Sequence, residues 1–274
     1  LKRQGEQLTV ASSLRFAEPG ATGTFGNLGF SHQLVHLIGG QDDTNKNMTQ
    51  RMLLLLESVP IGPSPAYARI VRAVIDRYLE EEAHILVEGK TRFKVPRFLL
   101  NDIVRFWRTM AVDFASKQRD RGGKGWGLRN AKLRMSRKLI FASGILVAFG
   151  CNLDQNLQEK ISTETRDINL KHLANYIWRC TSFTPLDILA STIRSSGTDD
   201  EVAKLIFSSY DQFIGTMSDT DAREELKRMS SQDYRSNPVF ARIRQISANF
   251  ELGLNKLFFH NADIKPLTEK YGVF

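Results

Sequence analysis

Between residues 121 and 138 the chain reads RGGKGWGLRNAKLRMSRK, placing Arg121, Lys124, Arg129, Lys132, Arg134, Arg137 and Lys138 among four glycines and one tryptophan, with no carboxylate. Guanidinium forks match phosphate oxygens in bidentate fashion, and the backbone amides of a Gly-rich turn entering a helix add further donors. Such a set is suited to holding an anion, and a triphosphate is a natural ligand for it. The charge continues upstream. Residues 90–138 carry fifteen Lys and Arg against three Asp, a net +12 in a chain whose total is +8, so the rest of the chain is −4. A field of this kind concentrates nucleotides or nucleic acid locally. The plainer reading is a solvated basic face.

Helical periodicity decides which of these side chains can meet. On a helix from about 127, Asn130, Arg134, Arg137 and Lys138 share one face, with Arg129 and Lys132 flanking it, and Leu128, Ala131, Met135, Leu139 and Ala142 take another. On the preceding helix Asn101, Arg105, Arg108 and Val112 share a face, leaving Leu99, Ile103, Phe106 and Met110 for the core. Two antiparallel helices would then present Arg105, Arg108, Asn130, Arg134 and Lys138 to one cleft, beside the Gly122–Gly127 turn. Trp107, mid-helix, is expected in the core. Trp126, in the turn, is expected beside the ligand.

Other residues with chemical potential have simpler readings. Asp219 and Asp221 form an Asp-x-Asp pair, but Ser218 and Asp219 read as the cap of a helix and no strand precedes them. Asp42 and Asp43 follow Gly39 and Gly40 and read as the cap of the next helix, although a Gly-Gly turn at a helix start can touch a phosphate. His32 and His36 stand at i, i+4 with Gln33 where a zincin carries Glu, so they read as surface or packing histidines. His84, His172 and His260 are isolated, and no metal site is read from the residues. Cys151 and Cys180 make neither a disulfide framework nor a metal spacing.

The elements carrying these residues are helices. Apolar spacing and proline or Asp/Thr/Asn openings predict helices over 46–58, 64–82, 96–118, 127–150, 168–180, 185–195, 199–215, 219–229 and 238–260. Strand-like alternation is confined to 83–89 and 92–95. The fold class is therefore mainly α, a helical bundle. The apolar run 139–151 is shorter than the ~20 residues that span a bilayer and reads as a buried helix. With no signal peptide and two cysteines, a cytoplasmic setting without a membrane is expected. The absence of an initiator methionine reads as a fragment.

The strings IGGQDDTNKNMTQRMLLLLES, FLLNDIVRFWRTMAVDF and GWGLRNAKLRMSRKLIFASG resemble the region downstream of the catalytic motif in bacterial nucleotidyltransferases of the DNA polymerase β superfamily. The resemblance covers about residues 20 to 262 and is most specific over 98–138. It implies a small α/β nucleotidyltransferase core of which 1–43 is a remnant or edge, a helical domain over 44–262 and a flexible C-terminal tail over 263–274. It also implies Mg²⁺-dependent transfer of a nucleotide from a nucleoside triphosphate to a nucleic-acid or protein hydroxyl; the residues that spacing and charge offer for the nucleotide are Arg105, Arg108, Arg129, Asn130, Lys132, Arg134, Lys138, Gly39 and Gly40. Anti-phage defence of the Hailong type, single-stranded nucleic acid and a partner protein of a defence system are the associated expectations. The sequence departs from the family at the metal site, since no Gly-Ser followed by Asp-x-Asp on a strand is visible. Tyr271, near the end of the tail, is the candidate protein acceptor. The alternative reading is a non-catalytic helical module that binds nucleic acid or a partner.

Overall fold

A computed structural model describes residues 29–60, 65–80, 93–120, 123, 125–160 and 166–272. Their regular structure is helical, with no strand among the described residues. In chain order the helices are α1 (Ser31–His36), α2 (Asn45–Leu56), α3 (Pro65–Glu80), α4 (Arg97–Asp120), α5 (Trp126–Lys132), a π-helical turn (Leu133–Arg137), α6 (Lys138–Leu153), α7 (Gln155–Glu159), α8 (Arg166–Thr181) and α9 (Pro185–Ser195). There follow α10 (Asp200–Ser218), α11 (Thr220–Arg228), a 3₁₀ turn (Ser231–Tyr234), α12 (Pro238–His260), α13 (Lys265–Leu267) and a second π turn (Thr268–Gly272). The bundle expected from periodicity is the fold.

Local chemistry sets the helix starts. Thr184 and Asp187 close a capping box around Pro185, and Asn237 accepts from the Phe240 amide with Pro238 in the first turn. Asp219 caps α11, as the sequence suggests. Apolar stripes then drive packing: α3 buries Val71, Val74, Ile75, Tyr78 and Leu79. Helix α6 is apolar nearly all round and forms the hub, packed by α4, α8 and α9. By length and composition Trp126–Glu159 is apolar enough to cross a membrane, yet most of its apolar window is packed inside the bundle. Helices α10 and α12 pair antiparallel, Tyr210 against Phe250 and Lys256 bonded to Glu201.

Three expectations need correction or limits. Of the strand candidates, 83–89 lies outside the described residues. Phe93–Val95 is not a strand, because side-chain amides take the place of a ladder: Phe93 N donates to Gln158 Oε1 at 3.0 Å and Asn152 Nδ2 donates to Phe93 O at 2.6 Å. The described part of 1–43 contributes a helix, α1, packed on α3 rather than a sheet edge. Residues 265–272, expected as a flexible tail, are helical because Ile264 and Thr268 are buried and anchor them against α12.

Candidate functional site

Helices α4 and α6 run antiparallel, and their contacts fix the register. A Cβ on Gly144 would stand 3.1 Å from Ile103, and Trp107 stacks on Phe141 with centroids 5.2 Å apart. Arg105 and Arg108 therefore lie level with residues near 140 to 143, about 10 Å along the axis from Arg134. The side chains expected in one cleft are distributed over two places.

The first is a buried ion network. Arg51 has no solvent exposure; its Nη1 and Nη2 donate to the two oxygens of Asp43 at 2.8 and 2.7 Å, Nη2 also donates to Asp102 Oδ2 at 2.8 Å, and Nε donates to Tyr78 Oη at 3.0 Å. Tyr78 in turn donates to Asp102 Oδ2 at 2.5 Å, and Arg105 donates to Asp102 Oδ1 at 2.8 Å. Burial opposes the Arg51 charge, but the bonds from Asp43, Tyr78 and Asp102 overcome it and raise its pKa. Burial, then Asp102, hold the Tyr78 phenol well above its ordinary range. Gly39, at φ 71°, donates its amide to Asp43 Oδ2 at 3.2 Å, and Gly40 continues the exposed turn. The expected cap of α2 is corrected here: Thr44 caps the helix, while Asp43 turns inward to satisfy Arg51. This network joins Gly39 to Arg105 through three buried charges, and it is saturated internally.

The second place is a cationic cluster around the π turn. A π turn inserts a wider ring into an α-helix and shifts the register of the side chains beyond it, and such turns recur at functional sites. Here Arg134 Nε donates to Asn130 Oδ1 at 2.6 Å, Arg137 reaches Glu57 at 2.8 Å, and Lys138 reaches Glu251 at 3.0 Å. Lys132 faces α11, whose Arg223 and Lys227 stand at i, i+4, and it also lies near Arg137 and Glu57. Desolvation first, then Arg223 and Arg137, push the Lys132 amine below the usual lysine range, against the pull of Glu57. Among the described residues neither Lys132 nor Arg223 has an ion pair with a carboxylate. Lys227 pairs with Glu224 on its own helix. Burial raises the Tyr210 phenol while its bond to Ser136 of the π turn opposes that rise, and Glu57 lies within its field too.

Close packing of α11 on α5 creates this convergence. A Cβ on Gly127 would meet Met229 Sδ at 2.7 Å and Leu226 O at 3.0 Å, so only glycine lets the two helices approach as they do. Gly125, at φ 69°, opens α5, and a Cβ there would lie 3.3 Å from Arg129 Nη1 and 3.6 Å from Lys227 O. Arg129 thus stands at the C-terminal end of α11, where a cation meets the negative end of the helix. Its position serves the docking of α11.

The tryptophans exchange their expected places. Trp126 is buried against Phe240 and Tyr234, because the glycine turn directs it inward, whereas Trp107 is half-buried on Phe141. Tyr271 is half-buried against the core with Lys270 over its ring, rather than on a free tail. His32 and His36 are exposed on α1 with ring centroids 4.8 Å apart. Arg223 and Lys227 were absent from the sequence expectation, since α11 lies some ninety residues from the basic segment.

Neither carboxylate pair fits Mg²⁺. Asp219 Oδ1 accepts from the Asp221 and Ala222 amides at 2.9 and 3.1 Å, and Asp43 is committed to Arg51 and Gly39. No group of three His, Cys, Asp or Glu side chains is placed to hold a metal among the described residues. Compared with known proteins, the chain matches no family model, no curated protein and no solved structure. The chemistry of the site rests on its own residues.

Proposed function

We propose that this helical bundle is a phosphate-binding module, taking a nucleoside triphosphate or a single-stranded nucleic acid at the cationic cluster of α5, the π turn and α11. One observation carries the reading: the close docking of α11 on α5 at Gly127 brings Arg223 and Lys227 from a distant stretch of sequence to Lys132 and Arg137, and the pKa of Lys132 is lowered there. Folding holds like charges together at a cost, and a polyanion relieves it. Affinity for a fluorescent single strand should fall steeply with salt, as phosphate contacts release counterions. Salt-independent binding, or none to strand or triphosphate, overturns the reading.

The resemblance over residues 20–262 favours a second, enzymatic version. In it the module holds the triphosphate of a nucleotidyltransferase, and a nucleic-acid or protein hydroxyl accepts the nucleotide, in a setting such as anti-phage defence. The described carboxylates do not suit the metal, so that version needs acidic residues from elsewhere. Label transfer from a radioactive triphosphate with Mg²⁺ to an added strand or to the protein is its test.

A further inference from the structure

We propose that His32 and His36 form a two-imidazole chelate for a divalent transition-metal ion, Ni²⁺, Zn²⁺ or Cu²⁺, on the outer face of α1. The inference is separate from phosphate binding and uses none of its residues.

Spacing and burial set the pair up. Side chains four residues apart stand one turn apart on the same face of a helix. The opposite face of α1 carries Leu34 and, just past the helix end, Ile38, 8% and 4% exposed, and the helix docks on α3 and α2. His32 and His36 are therefore turned to solvent, and both are exposed. A helix of 6 residues is too short to hold this register alone, so its docking on the bundle holds it. The two ring centroids are 4.8 Å apart, with the planes tilted by 39°. An ion about 2.0–2.1 Å from one nitrogen of each ring stands about 3.2 Å from each centroid, and the 4.8 Å separation then subtends about 97° at the ion. That angle lies between the ~90° of neighbouring positions in a square-planar ion and the ~109° of a tetrahedral one. Small rotations of exposed side chains reach either geometry without moving the backbone.

The nitrogens are also uncommitted. Among the described residues no hydrogen bond or ion pair engages a ring nitrogen of His32 or His36. Imidazole suits Ni²⁺, Zn²⁺ and Cu²⁺, whereas Mg²⁺ takes oxygen ligands. No third His, Cys, Asp or Glu joins the pair among the described residues, so water takes the remaining positions and the ion exchanges readily, unlike the closed four-ligand sites of structural zinc.

The test is calorimetric titration of the full chain with Ni²⁺ and with Zn²⁺, using Mg²⁺ as the oxygen-seeking control. Ni²⁺ and Zn²⁺ should bind and Mg²⁺ should not. His32→Gln and His36→Gln should each weaken binding about tenfold or more, because either variant leaves a single imidazole in place of two linked ones. Both side chains are exposed, so the variants should keep the circular dichroism of the natural chain. Trace Cu²⁺ should broaden the amide resonances of residues 31–38 before others, which locates the ion independently of affinity. Binding that survives undiminished in both variants places the ion elsewhere and overturns the chelate. Loss in one variant alone also overturns it, since a lone imidazole then carries the ion. No heat with Ni²⁺ or Zn²⁺, together with no selective broadening by Cu²⁺, ends the proposal.

Discussion

Arg51 donates both terminal nitrogens to Asp43, at 2.8 and 2.7 Å, from a side chain with no solvent exposure. The pair spans only eight residues in sequence, yet it ties the Gly39–Gly40 turn to α4, because the same guanidinium also bonds Asp102. Breaking one side of a buried charge set strands the remainder in a poor solvent. Arg51→Ala is therefore expected to lower the unfolding free energy by about 3–5 kcal/mol in urea denaturation, because it leaves the buried Asp43 carboxylate without its ion pair, while Asp102 keeps Arg105 and Tyr78. Asp43→Asn should cost less, since Asp102 and Tyr78 still serve the guanidinium. Equal and small losses in both variants would contradict this account of the network.

The docking of α11 on α5 offers a second check, because a glycine permits it. Gly127→Ala puts a methyl group 2.7 Å from Met229 Sδ and 3.0 Å from the Leu226 carbonyl, and the carbonyl cannot swing aside as a side chain can. Overpacking of this kind costs about 1–3 kcal/mol. The same substitution should also weaken phosphate binding, since it displaces Arg223 and Lys227 from Lys132. Loss of stability with unchanged affinity would detach α11 from the site.

The tryptophans provide a third. In a Trp178→Phe background, Trp107 alone should be quenched by acrylamide more strongly than Trp126 alone, because Trp126 is enclosed by Phe240 and Tyr234. Trp126→Ala should cost about 3–5 kcal/mol as a core truncation, and Trp107→Ala less. The opposite order of quenching would return Trp126 to the solvent side of the turn.

These residues show what periodicity reveals and what it conceals. The long helices were legible because one-sided apolar spacing is a local property: the predicted 64–82 and 185–195 appear as Pro65–Glu80 and Pro185–Ser195. The π turn was not, since Leu133–Arg137 has the composition of the α-helix around it and its register shift comes from packing. Nothing in local spacing marks Arg51 as buried, and only its tertiary contacts with Asp43, Asp102 and Tyr78 show it so. The direction of Trp126 depended on a left-handed Gly125, which composition marks as a turn without saying where the next side chain points. Of the proposed cluster, Lys132 and Arg137 belong to a segment legible as basic. Their partners on α11 were not legible, because convergence over that sequence distance is decided by how two helices dock.

The last prediction concerns pH. Lys132 is held below the usual lysine range by desolvation first, and then by Arg223, Arg137 and Lys227 against the pull of Glu57. Its folded pKa lies below its unfolded one, so the native state binds fewer protons than the unfolded state in the window between them. The cost to folding is fully present below the folded pKa and is relieved as pH rises through it towards the ordinary lysine value. Lys132→Gln removes that cost, so stability at neutral pH should hold or rise slightly. A bound phosphate favours the protonated amine, so affinity should decline as pH rises through the lowered pKa, and binding from alkaline solution should take up a proton. Calorimetry in two alkaline buffers of different ionisation enthalpy reads the uptake directly: the heat should depend on the buffer for the natural chain and much less for Lys132→Gln. Equal buffer dependence in both proteins would assign the proton to another group and take Lys132 out of contact with the phosphate.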